Sequence, residues 1–329
     1  MPTVGLPGAL VVAAVLACLP MILERQVIPW RGGTLVETFV SLAVVLVVTV
    51  WATRAAVPEP TRRPLAVDCL RVASLNIHGG YTTFFAPNLE EVADLLQRSG
   101  ADVVLLQEVE TGLLVSGSVD QAHWLADRLQ MNVTFFPQNE HLQGLAVLSR
   151  LSVSDAEGYL LTSPGAQAAA QYVRYRLDEN GDLHVYNAWL NYPLEAVDGR
   201  QVNEQVQDQV QQMNELYSVV ARNHFGPQAD PANPDRVVLG GSFNADESSR
   251  LYQIWAETVF EDPFATLFRE RRNTLFPAGS PPARWDYLWL LNLRNSGAII
   301  AEDEAVSNRR LSIVAVGREA NQVCPTPGG

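Results

Sequence analysis

The sequence contains no lysine, and all 23 of its basic residues besides histidine are arginine. We interpret this complete bias as genomic drift rather than as a feature of mechanism. Positive charge is scarce, because 36 acidic residues give the chain a formal net charge of −13. Residues 58–329 carry 20 arginines against 34 acidic residues, a net charge of −14. A domain this acidic gains nothing from counterion release on DNA or RNA, so we expect no nucleic-acid partner.

Cysteine is also scarce, with residues only at positions 18, 69 and 324. They form no C-x-x-C motif and no spacing typical of a metal site, which argues against a metal held by cysteine. Cys18 lies in an apolar run and is predicted to be a small packing residue. The other two cysteines matter only if the fold brings them together.

Charge is absent from one long segment and nearly absent from another. Residues 5–23 are uncharged, and residues 35–53 carry a single glutamate. Each segment is close to the roughly 20 residues needed to cross the hydrocarbon core of a bilayer, so we predict a two-helix transmembrane hairpin. The alternative for the first segment is a cleaved signal peptide. Against it, the segment lacks a basic start, and a second apolar segment follows closely.

The segment after this hairpin is rich in proline and has no apolar period, which is typical of a linker. We therefore divide the chain into a hairpin at 1–57, a linker at 58–68 and a larger domain at 69–329. Both ends of a hairpin face the same side of the membrane. Three arginines follow the second helix and two lie in the connection, which slightly favours a cytoplasmic domain at the inner membrane.

From Cys69 onward, apolar runs of strand length alternate loosely with helical patterns. The strand-like runs are residues 69–77, 101–109, 144–153, 182–190, 235–243, 284–293 and 310–318. A helix is predicted over 86–100, with Asn88 as its N-cap and Gly100 at its end, and a long glutamine-rich helix over 202–223. The strands and helices do not alternate regularly, as they do in a parallel doubly wound sheet. The pattern therefore predicts a layered α/β sandwich with mixed or antiparallel sheets.

Several of these strands carry polar residues at the same relative place. Asn76, the pair Gln107-Glu108 and Asn244 follow apolar runs, and Asp286 lies within RWDYLWL. Sites on α/β scaffolds are built where strand ends gather. We therefore expect these side chains to meet at one edge of the sheets.

Seven sequence blocks occur in one order: LRVASLNIHGG, ADVVLLQEV, GLAVLSR, HVYNAWL, VVLGGSFNADESS, TLFP with RWDYLWL, and SNRRLSIVAV. In this order they resemble the endonuclease/exonuclease/phosphatase superfamily, which includes the DNase I-like nucleases. The resemblance covers residues 69–318 and implies a four-layer α/β/β/α sandwich. It also implies phosphoester hydrolysis assisted by a divalent cation, typically Mg²⁺, with two histidines that contact the phosphate.

The resemblance assigns roles to four residues that keep the family's pattern. Glu108 matches the metal-binding glutamate, and Asn76 and Asn244 match the two asparagines of the site. Asp286 matches the aspartate that orients the last catalytic histidine.

Four positions depart from that pattern. Ser242 stands where the family has the aspartate that activates water, and Trp189 stands where it has a phosphate-contacting histidine. Asn308 and Arg309 replace a metal-linked aspartate and the second catalytic histidine. Of three carboxylates and two histidines, one carboxylate remains. We expect Arg309 to form an ion pair with Asp286, and Trp189 to fill the phosphate pocket.

These losses predict that no residue of the site is functional in catalysis and that no cofactor is bound. A serine without a neighbouring histidine is a poor base, and Glu108 alone is a weak ligand set for Mg²⁺. The predicted function is a membrane-anchored pseudoenzyme that serves as a structural or accessory subunit of a larger complex. Its expected partners are other membrane protein subunits and the lipid bilayer.

The alternative function is an active, divergent phosphodiesterase or phosphatase at the membrane surface. It would bind Mg²⁺ or Mn²⁺ through Glu108. Asp246 and Glu247 lie close enough in sequence to the altered Ser242 to be considered as displaced catalytic groups.

The implied fold makes the first and last strands of the domain antiparallel neighbours, which brings Cys69 and Cys324 into one region. A disulfide between them would place the domain outside the cytoplasm, against the arginine count, and the sequence leaves both sides open. His78 is predicted to be structural, and His184 is predicted to be a surface residue ahead of a strand.

Overall fold

The computed structural model describes most of the chain after the first apolar segment. The described ranges are 35–55, 69–163, 166–178, 181–192, 199–225, 234–276, 283–301, 306–317 and 324–325. The chain divides into two compact units, Met1–Pro58 and Glu59–Gly329.

In the first unit, helix α1 spans Leu35–Ala55 and so covers the second predicted membrane segment. Many of its large apolar side chains are exposed, among them Val36, Phe39 and Val47. Within the described ranges, no helix meets the combined length and hydropathy that a membrane crossing requires. The first predicted span, 5–23, and the predicted linker, 58–68, lie outside the described residues.

The second unit contains eleven strands within its described residues, arranged in two sheets. Their bounds are β1 Cys69–Asn76, β2 Val103–Glu110, β3 Asn132–Gln138, β4 Gln143–Ser149, β5 Val153–Leu160, β6 Ala169–Asp178, β7 Gly181–Trp189, β8 Arg236–Ser242, β9 Asp286–Leu291, β10 Arg294–Ile300 and β11 Ser312–Gly317. The first sheet has the order β10-β11-β1-β2-β4-β3, and the second has the order β5-β6-β7-β8-β9. The pairs β1/β2 and β7/β8 are parallel, and every other neighbouring pair is antiparallel.

The described part of this unit also contains four α-helices: α2 Leu89–Ser99, α3 Gln121–Leu129, α4 Gly199–His224 and α5 Arg250–Ala256. One core cluster packs α2 and α3 against the first sheet, and another packs α4 and α5 against the second. A third cluster joins the facing sides of the two sheets, where Leu105 and Val147 meet Val238 and Leu288. The layers therefore run helix, sheet, sheet, helix, as the resemblance implied.

Each strand-like run of the sequence contains an observed strand, and both predicted helices are present. The run over 144–153 is divided, because it holds β4, a turn and the first residue of β5. Asn88 is at the N-cap position, but its side-chain amide donates to the carbonyl of Val306 and not to the helix. Gly100 ends α2 with a left-handed φ of 62°, a conformation that favours glycine.

The placement of His184 at the surface was wrong. It lies inside β7, and its residue surface is only 8% exposed. The strand-like run over 182–190 already contained His184, and the strand itself begins at Gly181 and pairs with β6 from its first residue.

Cys69 and Cys324 form a disulfide with their Cα atoms 5.5 Å apart. Cys69 is paired with Gly317 in the antiparallel register of β1 and β11, as expected for adjacent first and last strands. The backbone N–H of Cys324 donates to the hydroxyl of Ser296 at 3.2 Å, which holds the chain after β11 against β10.

Candidate functional site

The polar strand ends converge at one edge of the two sheets. Asn76 is the last residue of β1 and Ser242 is the last residue of β8. Asp286 begins the antiparallel strand β9 and is the direct partner of Ser242 in the ladder. The amide of Asn76 reaches Ser242 across the sandwich at 3.2 Å, so the two sheets contact each other through these side chains.

Glu108 is turned into this site by an irregular backbone. The pairing of β2 with β4 shifts register between Leu106 and Val109, which is a β-bulge. Glu108 has a left-handed φ of 55°, and Asn244 has one of 53°. Left-handed backbone is uncommon for residues other than glycine and is found at functional sites. These two backbone conformations direct the side chains of Glu108 and Asn244 into the site.

The carboxylate of Glu108 is held by two donors. Its Oε1 accepts a hydrogen bond from Asn76 Nδ2 at 2.7 Å and another from the Tyr192 hydroxyl at 2.8 Å. Burial and the neighbouring Glu108 raise the pKa of Tyr192 above its ordinary value, so the hydroxyl keeps its proton and donates it. Asn76 Oδ1 accepts from the backbone N–H of His78 at 2.9 Å, which fixes the amide.

Ser242 is fully buried, and its hydroxyl is committed to a carboxylate. Its Oγ donates to Asp286 Oδ1 at 2.5 Å and accepts from Asn76 Nδ2. It also lies 3.5 Å from Oε1 of Gln107. No histidine is among its hydrogen-bond partners in the described residues, so Ser242 lacks the imidazole base that usually activates a serine nucleophile.

Arg309 and Asp286 form the expected ion pair. Arg309 Nε lies 3.2 Å from Asp286 Oδ2, with both side chains at least 96% buried. The N–H is not directed at the oxygen, so the contact is ionic without a good hydrogen bond. Burial raises the pKa of Asp286, while Arg309, Ser242 and Thr274 act in the opposite direction.

The guanidinium of Arg309 also links the remaining parts of the site. One terminal nitrogen donates to Asn244 Oδ1 at 3.0 Å and to the Tyr192 hydroxyl at 3.2 Å. The group lies over the rings of Trp285 and Tyr192, at 5.1 and 5.5 Å from their centroids. Hydrogen bonds, an ion pair and two cation–π contacts therefore all hold this one cation in place.

Trp189 and Asn308 are near this network, but their side chains are not joined to Glu108 by any described hydrogen bond. Trp189 pairs with Ser242 in the parallel register of β7 and β8, and its buried indole N–H has no hydrogen-bond partner among the described residues. The expectation that it fills a pocket stays untested. The Asn308 amide oxygen accepts from Ser307 at 3.4 Å.

Asp246 and Glu247 do not enter the network. Asp246 Oδ1 accepts from the backbone and hydroxyl of Ser248 at 2.8 and 2.5 Å. Glu247 pairs with Arg272 at 3.0 Å and with Arg284 at 3.3 Å. Both carboxylates have local partners away from Ser242, which gives no support to a displaced catalytic group.

Comparison with known proteins identifies the scaffold. A sequence profile described as the Endonuclease/Exonuclease/phosphatase family matches residues 73–293. The chain belongs to this family. The match begins within β1 and ends just after β9, so it contains Asn76, Glu108, Ser242, Asn244 and Asp286.

Solved structures of the family have the same fold. An endonuclease/exonuclease/phosphatase from Beutenbergia cavernae is 18% identical with a TM-score of 0.59, covering 77% of this chain and 72% of its own. A mannosyl-6-phosphatase from Bacteroides thetaiotaomicron is 14% identical with a TM-score of 0.56, covering 75% of this chain and 99% of its own. Humanized D. rerio TDP2 is 13% identical with a TM-score of 0.58, covering 76% and 99%. At these identities the likeness shows the fold alone.

Within this family site, sequence reasoning placed Gln107 at a strand end without assigning its contacts, and it missed the roles of Tyr192 and Thr274. Tyr192 lies in the loop after β7 and belongs to no motif block. The hydroxyl of Thr274 accepts from the backbone N–H of Asp286 at 3.2 Å. Gln107 Nε2 donates to Asn187 Oδ1 at 2.7 Å, which bridges the two sheets beneath the site. The only signal for Gln107 was its position beside Glu108.

Proposed function

We propose that the chain is a non-catalytic member of the endonuclease/exonuclease/phosphatase family that serves as a structural or accessory subunit of a membrane protein complex. The observation that carries the proposal is the buried guanidinium of Arg309. It stands where the family pattern has a catalytic histidine, and it engages Asp286, Asn244 and Tyr192 at once. A guanidinium cannot accept a proton and keeps its charge at any pH relevant to the protein.

The residues present do not fit a magnesium ion. Mg²⁺ needs oxygen ligands in near-octahedral geometry, with carboxylates as its main protein ligands. Glu108 Oε1 already accepts two hydrogen bonds, and the group that Asn76 directs at it is an NH₂, not an oxygen. Asp286 is engaged by Ser242 and Arg309. A cation placed here would have to displace these partners beside a fixed positive charge, so we derive no step through a metal.

A catalytic assay tests this proposal. The purified full-length chain is incubated with bis(p-nitrophenyl) phosphate and either Mg²⁺ or Mn²⁺, beside a Glu108→Ala variant. Loss of a general base and of one histidine each costs on the order of 10²–10⁴ in rate, so we expect no metal-dependent turnover above that of the variant. Metal-dependent turnover that Glu108→Ala abolishes would establish the active phosphodiesterase instead.

The membrane role rests on the two apolar segments at 5–23 and 35–53, the second of which forms α1. We expect the chain to remain in the membrane fraction after alkaline carbonate extraction and to co-purify with other subunits in mild detergent. Release by carbonate would overturn the membrane anchor. A chain that purifies alone from its native membrane would overturn the accessory role.

The disulfide supports a domain outside the cytoplasm, because disulfides persist in oxidising compartments and are rare in the cytosol. It outweighs the small arginine bias that favoured the opposite side. The test uses a Cys18→Ala variant and cells that are lysed in the presence of a maleimide reagent. Cys69 and Cys324 should be labelled only after reduction. Labelling without reductant would place the domain in a reducing compartment.

A further inference from the structure

A second polar cluster lies at the opposite end of β7 and β8 from the family site. His184 is near the start of β7, Asp235 immediately precedes β8, and His224 is the last residue of α4. Because α4 is the crossover between two parallel strands, its end returns to the edge where those strands begin. The fold thereby brings together three residues that are far apart in the sequence.

The three side chains direct nitrogen and oxygen atoms at one another. One ligand atom from each residue lies within 4.8 Å of the other two. His184 Nε2 is 3.4 Å from Asp235 Oδ1, and His224 Nδ1 is 2.8 Å from Asp235 Oδ2. The side chains of His184 and His224 are 11% and 1% exposed, whereas that of Asp235 is 37% exposed. The cluster is therefore fixed on the inside and open on one side.

Each imidazole is oriented by a tyrosine at its other nitrogen. His184 Nδ1 is 2.8 Å from the hydroxyl of Tyr172, and His224 Nε2 is 2.8 Å from that of Tyr186. Tyr186 is held in turn by Asn223, whose amide donates to it at 2.9 Å. Histidines that bind metals characteristically use the second ring nitrogen for such a supporting hydrogen bond.

We propose that His184, His224 and Asp235 form a site for a divalent transition metal ion, with Zn²⁺ as the best match. Two imidazoles and one carboxylate are ligands that suit Zn²⁺, and three protein ligands with an open position are typical of its non-structural sites. The exposed side at Asp235 leaves room for water as the fourth ligand. This proposal does not depend on whether the site with Glu108 and Ser242 is catalytic.

The ligand atoms must move to hold an ion, because they lie within 4.8 Å of one another and the two histidines contact different oxygens of Asp235. With ligands at about 2.0–2.1 Å from a tetrahedral zinc ion, neighbouring ligand atoms stand about 3.3 Å apart. The His184–Asp235 separation already has this value, whereas the His224–Asp235 contact must open by about half an ångström as the ion replaces the hydrogen bond. Arg174 lies close enough to His184 for its positive charge to act on the imidazole. That charge is paired with Asp155 at 3.6 Å and with Asp182 at 3.7 Å.

The test uses the purified full-length chain in mild detergent after removal of metals by a chelator. Zn²⁺ is titrated in competition with a chromophoric chelator against wild type, His184→Gln and His224→Gln. The control is His123→Gln, which changes a histidine that is paired only with the exposed Asp120. We expect one high-affinity Zn²⁺ per chain in wild type and in the control. Each ligand variant should weaken it more than the 10–100-fold caused by losing a supporting hydrogen bond.

Substituting Co²⁺ for Zn²⁺ in wild type keeps the proposal testable if a variant fails to fold. An intense visible spectrum, typical of four-coordinate cobalt, is expected, and circular dichroism checks the folding of each variant. The proposal is overturned if wild type binds no zinc, if folded His184→Gln and His224→Gln bind it as tightly as the control, or if bound cobalt shows only the weak spectrum of the hydrated ion.

Discussion

The two ends of the strand pair β7 and β8 carry polar clusters of different character. At the carboxyl ends, about 20 Å from the other cluster along β8, Ser242, Asp286 and Glu108 are engaged by internal partners, with Arg309 as a built-in cation. At the starting ends, His184, His224 and Asp235 face one another, and the nearby Arg174 pairs with Asp155 and Asp182. The first cluster is occupied by its own side chains, and the second has the ligands for an ion from outside.

One strand pair can thus carry a cluster held by an internal cation at one end and a cluster of metal-ligand type at the other. At the carboxyl ends, Glu108 and Asn244 have left-handed backbone conformations. The side chains there now satisfy each other, and they act as a polar link between the two sheets. The starting ends owe their cluster to the crossover helix α4, since two parallel strands need a connection that returns to the edge where they begin.

The largest effect should come from removing the built-in cation. Arg309→Met leaves Asp286 buried without its counter-charge, and loss of one partner of a buried ion pair costs about 3–5 kcal/mol. Denaturant unfolding should show this loss. The double variant Asp286→Asn/Arg309→Met removes both charges and should be more stable than Arg309→Met alone.

Arg128→Met is the matched control for this experiment. Arg128 pairs with Glu90 at 2.8 Å, but the Glu90 side chain is 59% exposed, so the loss should stay below about 1 kcal/mol. If Arg309→Met costs no more than this control, the carboxyl-end cluster is not stabilised by its cation, and the contrast between the two ends fails.

The sequence predicted seven of the described strands and missed β3, β5, β6 and β10, and burial explains most of this difference. Strands β2, β9 and β11 are buried along their whole length and contain apolar runs, although β9 lies at a sheet edge. Strands β3, β5 and β10 also lie at sheet edges but are at most half-buried along most of their length, so their sequences carry no such run. An apolar run reports burial on both faces of a strand, and these three edge strands lack it. Strand β6 is an inner strand and was missed all the same.

The family site was predicted in its membership and only partly in its geometry. The strand ends with Asn76, Ser242 and Asp286 follow from the order of the motif blocks, and so does the Asp286–Arg309 pair. The bulge that turns Glu108 could not be predicted, because the sign of a backbone angle leaves no mark in the apolar pattern. Tyr192 could not be predicted either, since it reaches the site from a loop.

Two hydroxyl deletions, one at each end of β7 and β8, should have effects of intermediate size. Tyr172→Phe removes the support of His184 at the starting end and should weaken Zn²⁺ binding about 10–100-fold. Tyr192→Phe removes a donor to the Glu108 carboxylate at the other end. It should lower the free energy of unfolding by about 1.5–3 kcal/mol and leave zinc affinity unchanged.

Zinc competition and denaturant unfolding are measured on both variants. The expected result is a crossed pattern, with affinity lost at one end and stability lost at the other. Equal zinc affinities in the two variants would show that the two clusters do not differ in the way the distances indicate.

The smallest effect concerns pH and isolates Asp286. Its pKa is raised in the folded state, chiefly by burial, so the folded protein takes up this proton at a higher pH than the unfolded chain does. The resulting stabilisation is absent at neutral pH, develops as pH falls through the raised pKa, and is complete below the ordinary value of 3.8. Asp286→Asn cannot gain it. The stability of wild type relative to Asp286→Asn should therefore increase from pH 7 toward pH 4, as measured by urea unfolding at each pH.

Asp94→Asn, at an exposed position of α2, serves as the control, and its difference from wild type should not grow in this way. A difference for Asp286→Asn that stays flat or shrinks on acidification would mean that Arg309 outweighs burial at this carboxylate. The Asp286–Arg309 contact would then be a favourable ion pair, and burial of the Asp286 charge would not carry the net cost expected here.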